Sequence, residues 1–263
     1  MKTISISTLS AMKENGEKFA AITAYDYTFS RLIENSSIEV SLVGDSLGNV
    51  IQGRDSTIPV TVDEMAYHTT AVKRGNNRSL LVTDMPFMSY STEVNALDNA
   101  AVIMQAGAQM VKLEGGEWLA DIVYLLSERG IPVCGHVGLT PQSVHKLGGY
   151  KVQGKEDAAA DKMIQEALIL EEAGADLMVI ECVPSSLGAA LSRALSIPVI
   201  GIGAGADTDG QVLVLHDMLG ISQRLPKFTK NFLAGKDSIQ EAITAYGNDV
   251  RSGTFPASEH CFK

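Results

Sequence analysis

The sequence has few cysteines, few basic residues and no long apolar run. Its three cysteines, Cys134, Cys182 and Cys261, form no Cys-x-x-Cys pair, so the pattern predicts neither a disulfide framework nor a cysteine metal site. Lys and Arg total 21 against 31 Asp and Glu, a formal net charge of -10. That balance argues against nucleic acid or an anionic membrane as the main partner. No run of 18 uncharged apolar residues occurs, and the N-terminus lacks a signal-peptide hydrophobic region, so we expect a cytoplasmic protein with no membrane partner.

The pattern of apolar runs predicts one closed barrel of alternating strands and helices. With 263 residues and 28.0 kDa, the chain has the size of a single α/β barrel domain spanning 1–263. Eight short apolar runs are predicted as strands, at 20–26, 38–45, 79–84, 109–114, 132–138, 176–181, 198–203 and 211–215. Helices are predicted between them, at 28–35, 62–74, 92–106, 118–129, 157–173 and 185–195. Strands that are apolar on both faces are typical of a parallel sheet covered by helices, and eight of them close a (βα)8 TIM barrel.

Three further segments lie outside this alternation. Residues 3–16 are predicted as a short helix that ends at Asn15 and Gly16 and covers the lower end of the barrel. Beyond Pro226 we expect one helix, over 238–246, packed either on the barrel or on a neighbouring subunit. The Gly-containing stretch 148–155 is predicted as a long loop on the active face.

Polar side chains at the strand ends are the candidate site, because the carboxyl ends of all strands of such a barrel open on one face. These residues are Asp26, Asp45, Asp84, Glu114, His136, Glu181, Gly203 and His216. Any single one can instead cap a helix or hold a loop. As a set, Asp45, Asp84 and Glu114 predict a site for Mg²⁺, which prefers carboxylate oxygens and keeps positions open for substrate. The five histidines lack the spacing of zinc ligands. A magnesium site favours a ligand with two adjacent oxygens, such as a 2-oxo acid, and stabilises its enolate.

Three other residues are candidates for substrate binding or proton transfer. Lys112 lies two residues before Glu114, so both side chains point to the same face of that strand. Lys112 is predicted to anchor a substrate carboxylate, to pair with Glu114 or, less economically, to form a Schiff base. Glu181 ends the sixth predicted strand and is a candidate general base on carbon, across the mouth from the metal. His136 is either a substrate hydrogen-bond donor or a structural histidine. The glycine run Gly201–Gly205 fits a phosphate loop and a tight turn equally well.

Several motifs resemble those of the ketopantoate hydroxymethyltransferase family. They are VGDSLG at 43–48, DSTIPVT at 55–61, KLEGG at 112–116, GHVGLTPQ at 135–142, GYKVQG at 149–154, GIGAG at 201–205 and HDMLG at 216–220. The resemblance covers nearly the whole chain in order. Mild departures lie at 185–188 and near Cys261, which concern the donor loop and the subunit contacts rather than the chemistry.

The resemblance implies a fold, a cofactor and a reaction. It implies a phosphoenolpyruvate-mutase-like barrel, a homodecamer and dependence on Mg²⁺. It also implies transfer of a hydroxymethyl group from 5,10-methylenetetrahydrofolate to 3-methyl-2-oxobutanoate, giving 2-dehydropantoate for pantothenate and coenzyme A synthesis. By the same resemblance, Asp45, Asp84 and Glu114 hold the metal, and Glu181 is the proton acceptor. The implied keto-acid contacts are Asp45, Ser46, Asp84 and Lys112.

Two other functions fit the predicted barrel. One is carbon–carbon lysis or phosphonomutase chemistry, which relatives of this fold perform, often with a cysteine in a Lys-Cys-Gly loop; no Lys-Cys-Gly run occurs in this sequence. The other is a metabolite-binding barrel without catalysis. That alternative leaves three strand-end carboxylates and an inward lysine without a purpose.

Overall fold

The computed structural model describes residues 3–263, and its centre is a closed barrel of eight parallel strands in the order β1 to β8. The strands are β1 Phe19–Thr23, β2 Val40–Val43, β3 Leu80–Asp84, β4 Met110–Glu114, β5 Val133–Gly138, β6 Leu177–Glu181, β7 Val199–Ile202 and β8 Gly210–Leu213. Each strand pairs in parallel with its sequence neighbour, and β8 pairs with β1 to close the ring. This confirms the predicted (βα)8 TIM barrel.

Helices surround the barrel because each strand is buried on both faces and needs an apolar cover. They are α1 Ile6–Glu14, α2 Tyr27–Asn35, α3 Leu47–Val50, α4 Val62–Gly75, α5 Glu93–Gln105, α6 Ala120–Ser127, α7 Val144–Leu147, α8 Asp157–Glu172, α9 Ser185–Ala194, α10 Leu215–Met218 and α11 Ile239–Arg251. Within residues 3–263 no helix is long and apolar enough to cross a membrane.

Helix α1 covers the amino-terminal end of the barrel, as predicted. Leu9 packs in one cluster with the inward-facing strand residues, including Phe19 of β1. Lys13 Nζ lies 2.8 Å from Asp209 Oδ2, just before β8. The helix ends at Asn15, and Gly16 follows with a φ of 69°. The amino-terminal end of the barrel is therefore covered by this helix.

Helix α11 packs on the barrel, which decides between the two places expected for the tail. Ile243 and Tyr246 lie in one cluster with residues of β1 and α2, including Ile22 and Ile33. The Tyr246 hydroxyl lies 2.9 Å from the carbonyl oxygens of Ala21 and Gln211, one on each side of the junction between β1 and β8. This helix therefore occupies the place of the eighth helix of the barrel.

The observed elements differ from the predicted ones mainly at their ends. Strand β1 ends at Thr23 rather than at Asp26, because the Asp26 carboxylate accepts a hydrogen bond from Phe29 N and begins α2. The helix predicted over 118–129 begins with a turn of 3-10 helix at Glu117–Leu119. The short helices α3, α7 and α10 were not predicted, since four residues are too few to give a periodic pattern.

Candidate active site

The barrel closure brings the predicted strand-end residues together at the carboxyl mouth. Asp84 and Glu114 are the last residues of β3 and β4, and Asp45 lies two residues beyond β2. Asp45 N donates to Asp84 Oδ2 at 3.0 Å. Lys112 Nζ lies 2.6 Å from Asp84 Oδ1 and 3.8 Å from Glu114 Oε1. All four residues are buried, each with at most 5% of its surface exposed.

Ser46 joins this group through a tight turn at Gly44. A methyl group on Gly44 would lie 2.7 Å from Ser46 Oγ and 3.6 Å from Asp84 Oδ2, so a side chain there would displace the serine hydroxyl. Ser46 Oγ lies 2.8 Å from the hydroxyl of Tyr25, which is buried. The serine hydroxyl is therefore held in place beside the acid cluster.

Lys112 is a charged lysine whose main partner is Asp84. Burial lowers its pKa, but the charges of Asp84, Glu114 and Asp45 outweigh burial and raise the pKa above its ordinary value. Attack on a carbonyl requires a neutral amine, so the raised pKa disfavours the Schiff-base role. The ion pair expected with Glu114 is the longer of the two contacts.

His136 lies between two carboxylates on neighbouring strands. Its Nδ1 is 3.4 Å from Glu114 Oε1, and its Nε2 is 3.4 Å from Glu181 Oε2. Burial and Lys112 lower the pKa of His136, but Glu114 and Glu181 outweigh them and raise it to about 9. His136 is therefore an imidazolium at neutral pH, and it connects Glu181 to the cluster around Lys112.

Glu181 ends β6, and unusual backbone geometry follows it. Cys182 has a φ of 49°, in the left-handed region, which is strained for a residue with a side chain. Hydrogen bonds hold this turn: Leu139 N donates to Glu181 O, and Gln153 N donates to Cys182 O, both at 2.8 Å. The second bond also brings the predicted loop 148–155 to the mouth. The side chain of Glu181 is 14% exposed, so it faces the opening, whereas that of Glu114 is 2% exposed.

Gln142 and Tyr90, which are not among the strand-end candidates, complete the cluster. Gln142 Nε2 donates to Asp45 Oδ2 at 2.8 Å and to Met85 O at 2.9 Å, and its backbone N donates to Glu114 Oε2 at 3.0 Å. The Tyr90 hydroxyl donates to Gln142 Oε1 at 2.5 Å and accepts from Glu114 N at 3.3 Å. Gln142 lies in one of the motifs quoted above, but an uncharged amide gave no signal of its own.

The charges of the site fit a divalent cation. Four carboxyl groups, from Asp45, Asp84, Glu114 and Glu181, face the two cations Lys112 and His136, so acidic groups outnumber basic ones in a largely buried site. The pKa of Asp45 is raised well above its usual range by burial, then by the charges of Asp84 and Glu114. Hard oxygen ligands and an excess of acidic groups suit Mg²⁺.

The protein alone supplies only part of a coordination shell. Among residues 3–263, no three His, Cys, Asp or Glu side chains converge as a preformed metal site. Magnesium commonly binds through one or two carboxylates and keeps several waters. The donor set therefore fits a site that water or substrate completes. Asp84 accepts a hydrogen bond from the backbone of Asp45, and Glu114 is held by His136 and Gln142.

The contacts of three other strand-end candidates indicate structural roles. Asp26 caps α2, as described above. His216 lies in α10 with its ring centroid 5.6 Å from that of Tyr25, and burial lowers its pKa. Gly203 and Gly205 have φ values of 61° and 86° and lie against Phe228 and Ser185. The tight turn therefore explains the glycine run better than a phosphate loop does.

Comparison with known proteins identifies the family of the chain. The family model described as ketopantoate hydroxymethyltransferase matches residues 3–258. A relative from Marinobacter nauticus, named 3-methyl-2-oxobutanoate hydroxymethyltransferase, is 59% identical over 261 residues, 99% of each chain. A relative of the same name from Cronobacter sakazakii is 57% identical over 263 residues, all of both chains.

A solved structure shares the fold at low identity. It is a putative phosphonomutase from Burkholderia cenocepacia, 13% identical, with a TM-score of 0.63 over 82% of this chain and 95% of that one. At this identity the likeness concerns the barrel alone. The sequence matches, by contrast, cover almost every residue, and the chain belongs to the ketopantoate hydroxymethyltransferase family.

Proposed function

We propose that the protein transfers a hydroxymethyl group from 5,10-methylenetetrahydrofolate to 3-methyl-2-oxobutanoate, giving 2-dehydropantoate for pantothenate synthesis. In this reaction C3 of the keto acid loses a proton and forms a carbon–carbon bond to the one-carbon unit. The carbon–nitrogen bonds to the folate break, and water supplies the hydroxyl group. Tetrahydrofolate is the second product.

The observation that carries the proposal is the arrangement of charge across one barrel mouth. Lys112 and the acids Asp45 and Asp84 lie on one side, and the partly exposed carboxylate of Glu181 lies on the other, with His136 between them. A 2-oxo acid bound by its carboxylate and keto oxygen at the first group would present C3 toward the second. The names of the relatives supply the identity of the keto acid.

Asp45, Asp84 and Glu114 are the residues that would hold Mg²⁺. When bound, the ion polarises the keto group and stabilises negative charge on its oxygen. This role agrees with the excess of acidic groups in the buried cluster. The proposed assembly is a homodecamer that works in the cytoplasm.

The protein's own residues bind the keto acid and move its proton. Lys112, charged and buried, attracts the substrate carboxylate. The hydroxyl of Ser46, held by Tyr25, donates to a substrate oxygen. Glu181 removes the C3 proton, and His136, which touches both Glu181 and Glu114, keeps the base oriented. General-base help of this kind is worth about 10²–10⁴-fold in rate.

The test is exchange of the C3 proton of 3-methyl-2-oxobutanoate with deuterated water, measured by NMR with Mg²⁺ and without folate. The wild type should catalyse the exchange. Glu181→Gln should bind Mg²⁺ and the keto acid normally by calorimetry but lose the exchange by at least about 10²-fold. Glu172→Gln, on the exposed face of α8, is the matched control and should exchange at the wild-type rate. Normal exchange by Glu181→Gln would remove Glu181 from the base role.

A further inference from the structure

Exposed aromatic side chains follow three consecutive strands at the mouth of the barrel. Phe87 follows β3, Trp118 follows β4 and Tyr150 follows β5, and they are 42%, 60% and 60% exposed. None of the three has a role in the site described above. Exposed aromatic rings beside a polar cluster are typical of surfaces that bind flat ring compounds.

Trp118 is the best positioned of the three. Its ring lies nearly parallel to that of Tyr90, with centroids 6.0 Å apart and an interplanar angle of 12°. The indole also lies against the backbone of Gly115: a methyl group on Gly115 would be 2.6 Å from Nε1 and 2.8 Å from Cε2. Gly115 is the residue after Glu114, so the indole is fixed directly beside the acid cluster.

Tyr90 makes this stack rigid. It is 4% exposed, and its hydroxyl bonds to Gln142 and to the backbone of Glu114. The indole therefore rests on a ring that is anchored to the candidate metal residues, while most of its own surface remains open to solvent. A rigid exposed ring loses little conformational freedom when a ligand stacks on it.

The loop after β5, the strand next to β4, is basic, although the chain as a whole is acidic. Residues 139–155 contain Lys146, Lys151 and Lys155, all exposed, and no Asp or Glu, whereas the whole chain has a formal charge of -10. The lysines of this loop suit the carboxylate tail of a ring compound. Glu117 and Glu166 lie next to Trp118 and Gly116, so the ring platform itself has no attraction for that tail. A tetrahydrofolate has a planar pyrimidine ring, a benzene ring and a tail that carries carboxylates.

We propose that Trp118, supported by Tyr90, is the stacking platform that binds the ring system of the one-carbon donor. The inference rests on the proposed function, since the donor is named there. It places the donor ring over the loop that follows β4, next to the cluster of Asp45, Asp84, Lys112 and Glu114 that would hold the keto acid and the metal. Trp118 is thus a donor-binding residue with no part in removal of the C3 proton.

Trp118 is the sole tryptophan of the chain, so its fluorescence reports on the proposed site directly. Tetrahydrofolate should quench the emission saturably when added to the protein with Mg²⁺ and keto acid, with N-acetyltryptophanamide as the control for light absorption by the folate. Trp118→Ala should weaken tetrahydrofolate binding by calorimetry, and raise the donor KM, by about tenfold. Trp118→Phe should restore binding to within about threefold, because a smaller ring still stacks.

Proton exchange separates this inference from the proposed function. Trp118→Ala should exchange the C3 proton at the wild-type rate without folate. Tyr124→Ala removes an exposed aromatic ring on α6 and should change neither the proton exchange nor the affinity for tetrahydrofolate. Wild-type protein that fails to exchange the proton would overturn the proposed function. Exchange-competent Trp118→Ala with unchanged folate affinity, or a wild type whose emission folate does not quench, would overturn the stacking platform alone.

Discussion

Gln142 is the residue through which most of the candidate metal site is held together. Its side-chain amide donates a hydrogen bond to one oxygen of Asp45, and its backbone N donates one to an oxygen of Glu114. The Tyr90 hydroxyl donates to the oxygen of the same amide and fixes its orientation. Asp45 thereby keeps its other oxygen available. Partners of this kind orient metal ligands, and their loss typically costs a large part of the metal affinity.

Replacing this amide should therefore weaken cation binding. Gln142→Met keeps the size of the side chain but cannot donate to Asp45, and we expect Mg²⁺ affinity to fall by about 10- to 100-fold. Calorimetry with Mg²⁺ in the presence of keto acid measures the effect. Gln105→Met, at an exposed position of α5, serves as control, and equal Mg²⁺ affinity in both variants would contradict the role given to Gln142.

His216 should make the protein less stable in acid. Burial lowers its pKa, with Asp26 opposing the shift, so the unfolded chain binds a proton more readily than the folded one does. The contribution of neutral His216 to stability is therefore fully present above the ordinary histidine pKa of about 6.5. It is lost as the pH falls through the lowered pKa of the folded state. His216→Phe keeps ring packing against Tyr25 and Phe29 and removes the titration.

Denaturant unfolding at about pH 7.5 and about pH 5.5 checks this expectation. The loss of unfolding free energy between the two should be smaller in His216→Phe than in the wild type. His145→Phe, at an exposed histidine, should retain the full loss. An identical loss in all three proteins would contradict the prediction.

The site residues divide into those that sequence reasoning could find and those that it could not. Asp84, Glu114 and Glu181 were predictable because each ends an apolar strand, and parallel strands of a barrel end on one face. Gln142 and Tyr90 belong to loops, and their contacts exist only because the loop after β5 reaches back to Asp45 and the loop after β3 to Glu114. Such contacts depend on the three-dimensional course of loops, which no local pattern encodes.

At the scale of elements, α11 seals the barrel where its first and last strands meet. The Tyr246 hydroxyl contacts carbonyl oxygens of both β1 and β8, and its ring packs against Phe232 and Phe255. Tyr246→Phe removes the hydroxyl and leaves two buried carbonyls with one partner fewer. We expect the free energy of unfolding to fall by roughly 1–3 kcal/mol.

Chemical denaturation measures that loss, and calorimetry with keto acid shows whether the site is spared. Tyr124→Phe removes a hydroxyl from a tyrosine that is 55% exposed and should leave stability unchanged. Keto-acid binding should be normal in both variants, because Tyr246 lies behind the strands rather than at their ends. A Tyr246→Phe protein as stable as the control would mean that the hydroxyl does not secure the junction.

At the scale of the whole molecule, the alternation of strands and helices was enough to predict the barrel and the end at which its site lies. The length of each strand was less predictable, as Asp26 illustrates, because a polar residue after an apolar run can end a strand or cap the next helix. The assembly of subunits cannot be predicted from such patterns. The exposed apolar residues Tyr67 and Val94, on α4 and α5, offer surface that an assembly would bury.

The proposed decamer predicts a definite mass. Ten chains of 28.0 kDa give 280 kDa, and light scattering coupled to size-exclusion chromatography should find that value at micromolar concentration. The mass should not change when keto acid is added, because the site lies within one barrel. A particle of 28.0 kDa would contradict the assembly and leave the chemistry of the mouth untouched.

The pairing of β1 with β8 has a consequence for how the chain is made in the cell. Phe19 in β1 pairs with Gly210 in β8, which is synthesised about 190 residues later. The barrel therefore cannot close until β8 has been made, and the contact with Tyr246 forms later still. Until then the nascent chain carries an open sheet edge, the kind of surface on which other chains stick. We therefore expect the yield of folded protein to respond to translation rate and chaperone supply.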